Sequence, residues 1–225
     1  MIMNSESRSD RKRKTLLLAA TAVFLEKGYD GTSMDDVAAR AKVSKPTVYK
    51  YFSDKEHLFA QMVRATTDQI DDLLRLVVET MDGEADVNTG LAVLAHRFIN
   101  ALMQPQVLRL RRLVIANADR FPDVGRSWYE QGFERVLKTL ATTFQSLADR
   151  QLLKIVDPLL AANHFVGLLL WIPVSKAMFT GDHQAAPDEL ERYALAAVSA
   201  FLTGYGPSRI MRTQKDAAAR TRRKG

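Results

Sequence analysis

Two serines, Ser33 and Ser44, stand eleven positions apart, and each opens a short stretch of helical character. That spacing leaves room for little except two short helices joined by a tight turn. Ser33 can cap the first helix, because its hydroxyl accepts an amide proton left unpaired at the helix start, and Asp35 and Asp36 suit the positive end of the helix dipole. The first helix runs to about Ala41, Lys42 and Val43 form the turn, and Ser44 is the second cap. Pro46 falls just inside the next helix, where its missing amide proton would have no partner anyway. After Phe52, the run Ser53-Asp54-Lys55-Glu56 reads as a capping box that starts another helix.

The helical repeat sorts these residues into two faces. Val37, Ala38, Ala41, Val43, Val48 and Phe52 form an apolar seam that fixes the two short helices against each other. On the outer face of the second helix stand Lys45, Thr47, Tyr49, Lys50 and Tyr51, a set with little apolar surface to bury. Such groups suit a polyanion. A lysine reaches phosphates or guanine edges, a threonine methyl meets a thymine methyl, and a tyrosine hydroxyl donates to a phosphate oxygen. Three helices packed for stability alone would leave this face without a purpose.

Phe24, Gly28-Tyr29, Thr32-Ser33, Val37-Ala38, Val43-Ser44, Thr47 through Phe52, Lys55-Glu56 and Leu58 occur in the order and spacing of the TetR family of transcriptional regulators, which this stretch resembles. The resemblance implies an all-α fold of about nine helices, with an N-terminal three-helix helix-turn-helix DNA-binding domain and a C-terminal helical ligand-binding and dimerisation domain. It implies a cytoplasmic homodimer, a repressor more readily than an activator, that sets its third helix in the major groove of each half of a palindromic operator in double-stranded DNA. Within that frame Lys45, Thr47 and Lys50 are candidates for base edges and Pro46 for an apolar contact. Ser33, Tyr49, Tyr51 and Lys55 are candidates for phosphates, and Ser44 completes the DNA-binding set.

A chain of 225 residues, 47% apolar, is long enough for a small and a medium domain with real cores. With no cysteine, disulfides, thiolate zinc sites and cysteine nucleophiles are excluded. The amino terminus is polar, and no uninterrupted run of about 18 apolar residues occurs, so neither a signal peptide nor a membrane span is expected. The net charge of +6 is unevenly placed: +3 over residues 1–60, −3 over 61–206 and +6 over 207–225. A basic reading end and a mildly acidic body fit a two-part DNA-binding protein. Expected boundaries are a disordered arm over 1–11, the DNA-binding domain over 12–57, the larger helical domain over 58–205 and a flexible basic tail over 206–225.

Arg11-Lys12-Arg13-Lys14 serves either as an arm for phosphates or the minor groove or as a solvated helix start, and both readings stand. The first helix is expected over 12–27, with Leu16, Ala20, Val23 and Phe24 inward and Gly28 as its stop. A long fourth helix is expected from about 54 to 80, a loop over 81–90, and further helices at about 88–103, 106–118, 123–150, 158–180 and 187–203. Pro173 should bend or break the helix that contains it.

The last two helices are the most apolar. By the resemblance they pair across a two-fold axis, with Phe165, Leu168, Leu169, Trp171, Ile172, Tyr193, Ala197 and Phe201 as interface candidates; one thick internal core is the alternative. The larger domain resembles the family's effector-sensing region less closely. A small, largely apolar ligand there would meet Phe98, Met103, Leu110, Trp128, Phe133 and Phe165, unless these are simply core or the domain only dimerises or binds a protein partner. His57, His96, His164 and His183 are scattered, and neither a metal-binding histidine pair nor a phosphate loop nor a nucleophile elbow is present. No enzyme activity, metal or cofactor is expected, and His96 and His164 read as core histidines.

Overall fold

A computed structural model describes residues 7–67, 75, 79, 86–181 and 185–207. The expected tail beyond 207, His183 and most of the fourth helix beyond Thr67, including Ile70, Leu74 and Val77, lie outside the described residues. The described residues are helical, without a strand. The helices are α1 Arg8–Lys27, α2 Met34–Arg40, α3 Lys45–Tyr51, α4 Lys55–Thr67, α5 Val87–Leu102, α6 Pro105–Ala116, α7 Pro122–Trp128, α8 Arg135–Asp149, α9 Pro158–Thr180 and α10 Pro187–Tyr205. A π-helical stretch, Tyr129–Glu134, lies between α7 and α8, so 122–149 is a single helical run.

Local chemistry sets most of these boundaries. α1 starts at Arg8, four residues before the expected position, because Ser7 and Asp10 form a reciprocal capping box; the basic quartet is therefore part of a helix rather than a loose arm. Ser33 and Asp36 form the expected box at α2. Two expected caps fail. Ser44 makes no bond to the α3 backbone, and α4 is capped by Asp54, whose Oδ1 accepts the His57 amide at 2.7 Å, rather than by Ser53 with Glu56. At α5, Asp86 accepts the Thr89 amide, so residues expected in a loop, Gly90 among them, are helical. The α7 start has no side-chain cap, and Asp123 sits in its first turn. α9 continues through Pro173 without a break.

The chain divides into two compact units that do not follow the expected boundary at residue 57. The first comprises residues 1–70 and 109–132, the second 71–108 and 133–225. In the first unit Leu16, Ala20, Val23 and Phe24 of α1, Val37 and Ala38 of α2, Val48 and Phe52, and Leu58, Phe59 and Met62 of α4 share one core with Leu110, Leu113, Val114 and Phe121. Phe121 closes the aromatic part of that core, 4.7 Å from the Tyr29 ring and 5.7 Å from Phe59. The physical reason for the altered boundary is plain: α1–α4 leave Tyr29 and Phe59 needing a cover, and Phe121 supplies it.

In the second unit α5, α8, α9 and α10 pack together. Phe144, Phe165 and Phe201 meet at ring separations of 5.2 to 5.6 Å at its centre. α9 is long and apolar enough to cross a membrane by length and composition alone. Ala161, Ala162, Phe165, Val166, Leu169 and Leu170 nevertheless bury one side of it in the unit's own core.

Candidate nucleic-acid interface

The helix-turn-helix is held by its turn. Ala38 and Ala39 at the end of α2 accept the Val43 and Lys42 amides at 3.0 and 3.2 Å, which closes a Schellman motif and leaves Lys42 left-handed at φ 54°. Val48 and Phe52 are then buried to 0% and 1% exposure, while Ala41 and Val43 pack partly buried against the same core. Once Val48 and Phe52 point inward, the helical repeat turns Lys45, Pro46, Tyr49 and Lys50 outward, and all four are exposed.

Thr47 and Tyr51 flank that surface half-buried. The hydroxyls of Ser44 and Thr47 lie 2.8 Å apart, so each keeps the other in place across the first turn of α3. Lys45 does not stand free: its Nζ donates to Asp35 Oδ2 at 2.8 Å, and this contact holds the ammonium in its charged form to higher pH than usual. The pair is exposed, so a phosphate or a base acceptor can compete for the lysine. Tyr51 OH lies 3.5 Å from Ser9 Oγ at the start of α1, and Arg13 reaches Gln61 and the Phe52 ring.

Two phosphate candidates are already engaged. Ser33 Oγ accepts the Asp36 amide and donates to its carboxylate at 2.7 Å, while Asp36 also accepts from Lys27. The Lys27 bond, followed by those from Ser33, holds the Asp36 carboxyl well below the usual carboxylate range. Lys55 donates to the Tyr29 carbonyl at 3.0 Å and lies 4.4 Å over the Tyr29 ring. Arg120 sits 4.8 Å from the same ring and bonds Asp30 at 2.8 Å. Nothing in the local sequence signals these ties, because their partners lie 26 and 90 positions away.

The other candidates separate by unit. Leu110 and Trp128 belong to the first, where Trp128 is half-buried against the shared core. Phe98, Met103 and Phe165 are buried in the second, and Phe133 is half-buried there. Of the interface candidates, Phe165, Leu169, Ala197 and Phe201 are buried in the second unit's own core and Tyr193 is half-buried. Leu168, Trp171 and Ile172 are exposed, and the sequence missed Leu160 and Leu195, which are exposed as well. His96 and His164 are not core residues: both are exposed, His96 beside Glu191 at 3.3 Å and His164 bonded to the Tyr205 hydroxyl at 2.6 Å. Among the described residues no group of three or more His, Cys, Asp or Glu gathers to hold a metal.

Residues 16–62 match the model of bacterial regulatory proteins of the tetR family, and residues 89–207 match that of the C-terminal domain of AefR-like transcriptional repressors. A solved structure from Mesorhizobium loti, described as a TetR-family transcriptional regulator, is 51% identical with a TM-score of 0.86, covering 89% of this chain and 100% of its own. The flavonoid-responsive regulator FrrA is 27% identical with a TM-score of 0.68 over 88% of this chain and 98% of its own. The transcriptional activator FasR of Mycolicibacterium smegmatis is 38% identical over 71 residues, a stretch that spans only 32% of each protein.

Proposed function

Because this chain belongs to the TetR family of transcriptional regulators, which are not enzymes, we propose that it is a cytoplasmic homodimeric repressor that α3 docks into the major groove of a roughly palindromic operator. The observation that carries this reading is the burial of Val48 and Phe52 beneath an exposed Lys45, Pro46, Tyr49 and Lys50. Lys50 and Lys45 then meet base edges, Lys45 exchanging Asp35 for a DNA acceptor. Thr47, held by Ser44, offers its methyl and Pro46 an apolar contact, while Tyr49 and Tyr51 donate to phosphates. Ser33 and Lys55 serve this interface through the α2 cap and the Tyr29 carbonyl, and their bonds must rearrange before either meets a phosphate.

Dimerisation is supported by the outer faces of α9 and α10. Leu160, Leu168, Trp171 and Ile172 on α9 recur at helical spacing, and Leu195, Ala196, Ser199 and Ala200 give α10 a low surface that lets a partner helix approach closely. Repression is favoured over activation by the repressor type of the C-terminal model, and response to a small, largely apolar molecule by the likeness to a flavonoid-responsive regulator. Such a ligand need only prefer one conformation by about 1 to 3 kcal/mol to release DNA usefully.

Selection from random duplexes with the full-length protein tests the proposal. It should enrich a near-palindromic site, and Thr47→Ala should cost about 1 to 3 kcal/mol on that site while sparing random DNA. Equal losses on both, or no enriched site, would overturn it.

A further inference from the structure

Arg111 lies on α6, half-buried, and among the described residues no anion stands beside it. Its Nε is buried and has no hydrogen-bond partner, the single side-chain nitrogen or oxygen of that kind among the described residues. No ion pair or hydrogen bond reaches the rest of the group among those residues. What meets it is the Trp128 ring, whose centre is 5.9 Å from Cζ. Leu110, Leu113 and Val114, its neighbours along α6, are buried and apolar. Burial accordingly pushes the guanidinium pKa down, with no carboxylate to oppose it.

An arginine keeps its proton even so, and a cation out of water is costly unless an anion completes it. A ring face returns only part of that cost. The guanidinium offers a planar fork of N–H donors that matches the two oxygens of a carboxylate. One half-buried positive charge balances one negative charge; a doubly charged phosphate would leave a negative charge unbalanced. Arg111 is not sealed, since part of its side chain still reaches the surface.

We propose that Arg111, backed by Trp128, anchors the carboxylate of a small amphipathic effector with an aromatic or long aliphatic body. This rests on the reading that the chain answers to a small molecule, and it gives the largely apolar ligand expected from sequence one acid group.

Calorimetry on the full-length protein with benzoate, cinnamate and dodecanoate, each against its primary amide, tests the assignment. At least one acid should bind about tenfold or more tightly than its amide. Arg111→Gln should erase that preference, Arg111→Lys should keep part of it, and circular dichroism should show both variants helical. Binding of the acid should quench tryptophan fluorescence in the wild type and not in Trp128→Phe. Equal binding of acid and amide, binding that Arg111→Gln leaves unchanged, or no saturable binding of any acid would overturn the proposal. The two readings fail separately: release of DNA by the amides alone removes the acid site and keeps the effector, whereas tight acid binding that never releases DNA keeps the site and removes the effector.

Discussion

Lys42 occupies a left-handed position, φ 54°, in the turn between α2 and α3, where a side chain with a Cβ is strained. Lys42→Gly should therefore raise the melting temperature, corresponding to up to about 1 kcal/mol, provided glycine's greater freedom in the unfolded chain does not cancel the gain. An unchanged or lower melting temperature by calorimetry would show that it does. Lys55 gives a sharper test. Tied to the Tyr29 carbonyl and ring, it should when changed to alanine cost about 1 to 3 kcal/mol of stability, a charged hydrogen bond plus a cation–π contact. A variant that melts like the wild type but binds DNA with a flatter salt dependence would return Lys55 to a phosphate. At this scale the inward pair Val48 and Phe52 was legible in the sequence, because a helix of seven residues with one apolar edge has a single way to dock. Engagement was not: Lys45 meets Asp35 across the turn, and periodicity is silent on contacts between helices.

The capping carboxylates link the helices to pH. Asp36 is held low by Lys27 and Ser33, Asp54 by the His57 amide and Ser53, and Asp86 by the Thr89 hydroxyl and amide. Each folded pKa lies below the unfolded value of about 3.9, so the stabilisation is complete above that value and is lost as pH falls through the folded pKa. Thermal melts by circular dichroism should show stability dropping as pH goes from about 5 to 2, and Asp36→Asn should be less stable at pH 7 with a shallower acid limb. The division into units yields another expectation. Phe121 covers Tyr29 and Phe59, so the fragment 7–67 alone should not melt cooperatively, and Phe121→Ala in the whole chain should cost about 3 to 5 kcal/mol. A fragment with a sharp transition would show that α1–α4 are self-sufficient. Helix existence and most ends were readable from prolines, glycines and apolar spacing; the early start of α1 escaped because Ser7 and Asp10 lie outside the apolar repeat that marked the helix.

Over the whole molecule, the outer α9 and α10 faces carry the expectation of a homodimer. Trp171 is 74% exposed and Ile172 53%, so replacing both by glutamate should leave the core intact and shift sedimentation toward a single subunit. A variant that remains a dimer would place the partner elsewhere. α9 also shows the limit of composition: its apolar residues run round the helix, and only the fold sorts Phe165 and Leu169 into the subunit's core and Leu168 and Trp171 onto its surface. By itself the sequence determined the all-helical class, the helix-turn-helix and the outward polar face of α3, since caps, a tight turn and a helical repeat act over a few residues. The tertiary structure alone decided that residues 109–132 share a core with the DNA-binding helices, that Lys55 and Arg120 close on Tyr29, and that the Arg111 Nε is buried with no hydrogen-bond partner among the described residues. Those outcomes depend on burial and on partners far apart along the chain, and burial is a property of the packed molecule that no local pattern records.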